Sequence, residues 1–179
     1  MLLNAPVRVQ NLASIELNRH VIEVGSRRER RVHLHFPARE VKNTNDLEFP
    51  LMTDSGDLLD LYVTVWRPIL CYGQDSPFLF PGDRPDRHKG KGTLSAQIKE
   101  LVFAYTRFDM PAHRFRHAAA KIYLDHNPGQ YEVVRQLLGH KDIDITIAFY
   151  AGAETASAAR HYAKTILGIR NGKPQPDSH

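Results

Sequence analysis

The sequence predicts an α+β chain, mainly α, with a small three-stranded antiparallel sheet near its N-terminus. Three observations lead there. Val32, Leu34 and Phe36 alternate with His33 and His35, and Leu47, Phe49 and Leu51 alternate with Glu48 and Pro50, the two-residue period of half-buried strands. From Thr53 onward the apolar residues recur instead at helical spacing, in segments punctuated by glycine and proline. A length of 179 residues at 42% apolar composition suits one globular domain.

Each element has its own signal. Pro6 to Leu17 spaces Val9, Leu12, Ala13 and Ile15 as a short helix, with Arg8 at its start. Arg19 to Val24, closed by Gly25, supplies the first strand, and residues 42–46 (Lys-Asn-Thr-Asn-Asp) are turn chemistry between the other two. Arg27, Arg28, Arg30 and Arg31 crowd the turn joining the first two strands, where an arginine cluster can meet phosphates. A solvated charged turn is the other reading. Polar caps from Thr53 to Gly56 introduce a helix through Leu58, Leu61, Tyr62 and Val65 that Pro68 helps to end, with Trp66 assigned to the core. Gly73 to Gly92 reads as an exposed loop with an apolar knot at Phe78-Leu79-Phe80 and basic residues Arg87, Lys89 and Lys91 that could touch a nucleic-acid backbone. Thr93 caps a helix reaching Asp109. Further helices are expected at His113 to Asp125, Tyr131 to Leu138 stopped by Gly139, Asp144 to Tyr150, and Glu154 to Leu167 stopped by Gly168, with a disordered tail over 171–179.

Composition excludes several function classes. The single cysteine, Cys71, rules out an internal disulfide framework and a cysteine-rich zinc site, and is assigned to packing. No apolar run approaches the roughly 20 residues of a membrane span, and the N-terminus lacks the basic start of a signal peptide, so a soluble intracellular protein is expected. A net charge of +4 permits a polyanionic partner without requiring one.

The chemistry concentrates between His113 and Tyr150. His113 and Arg116 share a helix face, and His117 lies one turn after His113. Each histidine can be read as an ordinary surface residue. A metal reading takes His113, His117 and His140 as zinc ligands, against which stand the cations Arg114 and Arg116 and the absence of a glutamate at 114. A phosphate reading has arginine fork onto phosphate oxygens while imidazoles donate to the others. In that reading a tyrosine has a reaction available, because a phenol can attack phosphorus and become a phosphotyrosyl ester. Tyr150 is the candidate, and an aromatic core residue is its other reading.

The segments HRFRHAAA, LLGHKDIDIT and FYAG resemble the C-terminal signature of the tyrosine recombinases, the phage-integrase family. Upstream, Val7-Arg8-Val9-Gln10-Asn11-Leu12 resembles the family's early arginine motif, and Lys42 before Leu47-Glu48-Phe49-Pro50-Leu51 resembles its hairpin lysine. The resemblance spans roughly Asn4 to Leu167 and departs twice: Asn11 stands where the family usually has a glutamate, and the gap from His140 to Tyr150 is one residue longer than is common. It implies a catalytic domain over 1–170 that lacks the family's N-terminal DNA-clamping domain. It implies DNA cleavage and rejoining through a 3′-phosphotyrosyl intermediate, with Arg8, Lys42, His113, Arg116, His140 and Tyr150 as catalytic residues and no cofactor or metal. It also implies double-stranded DNA as partner, self-association through the helix over 154–167, and a cytoplasmic, nucleoid-associated location of bacterial or phage type. A noncatalytic DNA-binding remnant and a histidine-ligated zinc hydrolase are the alternatives.

Overall fold

The computed structural model describes residues 1–25, 30–41, 45–140 and 142–170. Two short helices, α1 (Val9–Ala13) and α2 (Leu17–His20), lead into an antiparallel sheet of order β1 (Val21–Val24), β2 (Arg31–Phe36) and β3 (Leu47–Pro50). The helices after the sheet are α3 (Thr53–Leu61) continued by α4 (Arg67–Leu70), α5 (Lys91–Thr106), α6 (Arg114–His126), α7 (Tyr131–Leu138) and α8 (Ile143–Arg170). The mainly helical fold with its three-stranded sheet is as expected from the sequence.

The alternation in β2 and β3 does what its period requires. Val32, Leu34, Phe36, Leu47 and Phe49 point inward and are buried, while His33 and Glu48 pair on the outer face at 2.5 Å. Register aligns Leu34 with Phe49 and Phe36 with Leu47, so the buried side chains face one another across the ladder. This sheet, α1 and Leu59, Leu79 and Leu94 form one apolar core. A second, smaller cluster of Ala120, Leu124, Val134, Leu138 and Tyr150 lies among α6, α7 and α8.

Five expectations are corrected. The helix expected over Pro6 to Leu17 breaks after Ala13 because Ile15 and Leu17 pair their backbones with the 77–79 segment: Leu79 donates to the Ile15 carbonyl at 2.7 Å and Leu17 to that of Pro77 at 2.9 Å. The Gly73–Gly92 loop is therefore not simply exposed. Leu79 is fully buried, and buried Arg67 donates to the carbonyls of Phe78 and Ser76. Pro68 does not end its helix. A π turn over Tyr62–Trp66 re-registers the hydrogen-bond ladder just before the proline, and the chain stays helical to Leu70. The added residue rotates the next turn, carrying Arg67 inward and leaving Trp66, expected in the core, 56% exposed. Finally, the two helices expected over 144–150 and 154–167 are one, because Ala151-Gly152-Ala153 does not interrupt α8.

These placements predict opposite outcomes for two aromatic truncations. Phe36→Ala, deep in the sheet core against Phe49 and His20, should cost about 3–5 kcal/mol in urea unfolding. Trp66→Ala should cost about 1 kcal/mol at most.

Candidate functional site

The site is built around the first turn of α6. His113 occupies the N-cap position and is exposed, whereas Arg116 turns inward. Its guanidinium donates to the backbone carbonyl of Pro6 and, at 2.6 Å, to that of Leu138. Pro6 lies two residues before Arg8, and Leu138 two before His140. One side chain thus joins the N-terminal segment to the end of α7. Burial, reinforced by the nearby Arg8 charge, pushes the Arg116 pKa down to about 10, so it remains a cation at neutral pH.

His140 is aimed by the end of α7. Gly139 adopts the left-handed conformation (φ 59°, ψ 46°), its N–H bonds Gln136 at 3.0 Å, and the His140 N–H reaches the Arg135 carbonyl at 2.9 Å. This paired closure is a Schellman motif, and glycine meets its positive φ without the penalty a Cβ would bring. The Arg135 guanidinium holds the His140 carbonyl at 2.9 Å from the other side. His140 Nδ1 lies 2.9 Å from the Oγ1 of fully buried Thr146, on the first turns of α8. Burial first, then Arg116 and Arg8, lowers the His140 pKa.

Tyr150 is 5% exposed and packs in the smaller core, as its apolar reading anticipated, but its hydroxyl lies 2.9 Å from His117 Nδ1. Burial raises its pKa while Arg116 opposes the rise. His117 is lowered, by burial first and then by Arg116 and His113. The sequence offered His117 as an ordinary surface residue or a zinc ligand, because its contact to a residue 33 positions away has no local signal. Among the described residues, no group of three or more His, Cys, Asp and Glu side chains is arranged to hold a metal ion.

Upstream, Arg8 is half-buried at the N-cap of α1, close enough to register on both Arg116 and His140. Asn11, in the place of the expected glutamate, is buried and donates to the Glu40 carbonyl at 3.0 Å. The Glu40 carboxylate meets His20 Nε2 at 2.6 Å and also pairs with Arg19. This network ties α1 and α2 to the 3-10 turn Ala38–Glu40, just beyond β2. Lys42, Arg27 and Arg28 lie outside the described residues. Of the other basic residues singled out, Arg30 is engaged by Glu23 and Asp60, Lys89 donates to Gln97 at 3.1 Å, and Arg31, Arg87 and Lys91 are exposed.

Two guanidinium groups, an imidazole with one nitrogen on a buried hydroxyl, and a phenol beside a second imidazole therefore converge from α1, α6, α7 and α8. Such a set can bind a tetrahedral oxyanion and present an oxygen to it.

Comparisons with known proteins bear on the family and the fold. The model of the phage integrase family matches residues 1–156. Tyrosine recombinase XerD of Brucella suis biovar 1 is 31% identical over 107 residues, covering 59% of this chain and 34% of the relative; XerD of Brucella melitensis biotype 1 matches equally. The matched region is thus about a third of those relatives' length. Among solved structures, XerA recombinase superposes with a TM-score of 0.58 at 21% identity over 92% of this chain and 55% of its own. The Tn1549 transposon integrase, solved in complex with transposon right end DNA, gives 0.54 at 18% over 91% and 56%. The last two likenesses concern the fold. Among the described residues, no helix is long and apolar enough to cross a membrane.

The half-buried His117 and His140 predict an acid limit to stability. His117 and His140 have folded pKa values below the ordinary value of about 6.5, so below that pH the unfolded chain binds more protons. Their contribution is fully present above about pH 6.5 and is lost as pH falls through their folded values. Urea unfolding followed across this range should show the decline, and a His117→Asn, His140→Asn double variant should show a shallower one.

Proposed function

Because the chain belongs to the phage integrase family, we propose that it breaks and rejoins DNA strands by phosphoryl transfer to Tyr150. One observation carries the reading: Arg116, held between the Pro6 and Leu138 carbonyls, ties the segment of Arg8 to that of His140, while the Tyr150 hydroxyl meets the same helix at His117.

In this reading Arg8 and Arg116 hold the nonbridging oxygens of the scissile phosphate and stabilise the charge that builds in the pentacoordinate transition state. Arg116 can do so while bonded to two carbonyls, since a guanidinium fork has five N–H donors. With the Thr146 hydroxyl on Nδ1, the His140 Nε2–H donates to a nonbridging oxygen. His113, exposed at the N-cap of α6, donates to the phosphate, and Lys42 protonates the departing 5′ oxygen. The 3′-phosphotyrosyl ester retains the energy of the broken bond, so a second DNA end can attack it and restore the strand. Residues 1–170 act as the catalytic unit and require no metal.

The partner is double-stranded DNA, in the nucleoid of a bacterial or phage-bearing cell, with Arg31, Arg87, Lys91 and the turn arginines as backbone contacts. The residues over 154–167 serve self-association on DNA. Tyr162, Ile166 and Leu167 stand exposed on α8, which suits contact with a neighbouring copy.

On a nicked suicide duplex, whose cleaved end diffuses away, the chain should accumulate a covalent protein–DNA adduct visible on a denaturing gel, and Tyr150→Phe should form none while still binding DNA. Salt-sensitive DNA binding without adduct on any substrate would leave a noncatalytic DNA-binding chain instead.

A further inference from the structure

The phenol of Tyr150 sits against an imidazole that the roles above leave unassigned. His117 Nδ1 is 2.9 Å from the Tyr150 hydroxyl, and the two rings lie 6.1 Å apart, tilted by 49°. His113 occupies the exposed N-cap of the same helix, one turn earlier. Resting on Tyr150 as the nucleophile, we infer that His117 is the catalytic base for the strand-breaking step, accepting the phenol proton through Nδ1.

The surroundings give this base a dependence on substrate. Arg116 and His113 face it from its own helix α6, Tyr150 from α8, His140 from the end of α7, and Arg8 lies beyond Arg116 on α1. Burial and the neighbouring cations keep the imidazole neutral at neutral pH, with a lone pair available, and burial keeps the phenol protonated. Without DNA the proton has no reason to move, because an imidazolium would face Arg116 directly. A phosphodiester seated between Arg8 and Arg116 brings a negative charge that offsets the guanidinium field and makes His117 more basic.

The step then balances. The proton passes from the Tyr150 oxygen to His117 Nδ1, that oxygen forms a bond to phosphorus, and the bond from phosphorus to the 5′ oxygen breaks with its electron pair on the leaving oxygen. That oxygen takes a proton from the acid assigned to Lys42. On rejoining, His117 returns its proton to the departing phenolate.

The test uses the whole chain on the nicked suicide duplex, with adduct formation timed under single-turnover conditions from about pH 5 to about pH 8. His117→Asn places an amide oxygen near the Nδ1 position, keeping a hydrogen-bond acceptor that cannot take up the proton. It should slow adduct formation about 100-fold and remove the loss of rate toward acid pH, with DNA affinity and the melting temperature at neutral pH unchanged. A duplex carrying sulfur in place of the bridging 5′ oxygen needs no leaving-group proton, so it should not rescue His117→Asn. Rescue would assign His117 to the leaving group and overturn the inference. So would wild-type rates for His117→Asn at every pH while Tyr150→Phe is inert, an outcome that leaves the nucleophile standing. An adduct formed by Tyr150→Phe would instead remove the nucleophile itself. Nitrogen-15 spectra of the wild-type imidazole decide independently of activity and of how the variant folds: the neutral ring should carry its proton on Nε2, and a proton on Nδ1 would contradict the assignment.

Discussion

The arrangement depends on one guanidinium in a poorly solvated place. Arg116 spans 110 residues of sequence to reach the Pro6 carbonyl and also meets the Leu138 carbonyl, so it sits where the two apolar cores adjoin. A charge there is costly unless its donors are satisfied, and the two carbonyls satisfy part of the fork. The same desolvation strengthens its field on an incoming anion, because little water remains to screen it. Position and electrostatic strength are two consequences of one placement.

Around this cation a set of backbone devices fixes the other groups. The left-handed Gly139 and the Arg135 clamp aim His140, and Thr146, anchored in α8, meets its ring through Nδ1. Asn11 reaches the Glu40 carbonyl, so α1, which begins just after Arg8, is braced against the turn beyond β2. Where the family's early motif usually has a carboxylate, this chain has an amide whose reach is toward backbone. Tyr150 meets His117 despite the extra residue after His140, because α8 runs unbroken from Ile143 and packs the tyrosine against α6 and α7.

How much the sequence disclosed depends on the range of each interaction. The strands β2 and β3 declare themselves through alternation, since burial on one face is written residue by residue. The stop at Gly139 is equally local. Trp66 misled because its exposure is set by a π turn whose signal, Pro68, reads in isolation as a terminator. The break after Ala13 needed knowledge of residues 77–79, and Ala151-Gly152-Ala153 reads as a boundary until the whole of α8 is seen. Arg8, Arg116, His140 and Tyr150 could be singled out by motif. That Arg116 spends donors on Pro6 and Leu138, and that His117 faces Tyr150, are long-range facts without a local pattern.

The central claim is that these elements assemble one phosphate site whose attacking atom is the Tyr150 oxygen. Its most direct measurement is to trim a trapped protein–DNA adduct with nuclease, digest it with protease and locate the residual nucleotide by tandem mass spectrometry. A 3′-phosphoryl nucleotide on Tyr150 is the predicted result; the same mass on Tyr131, Tyr162 or any other residue would contradict it.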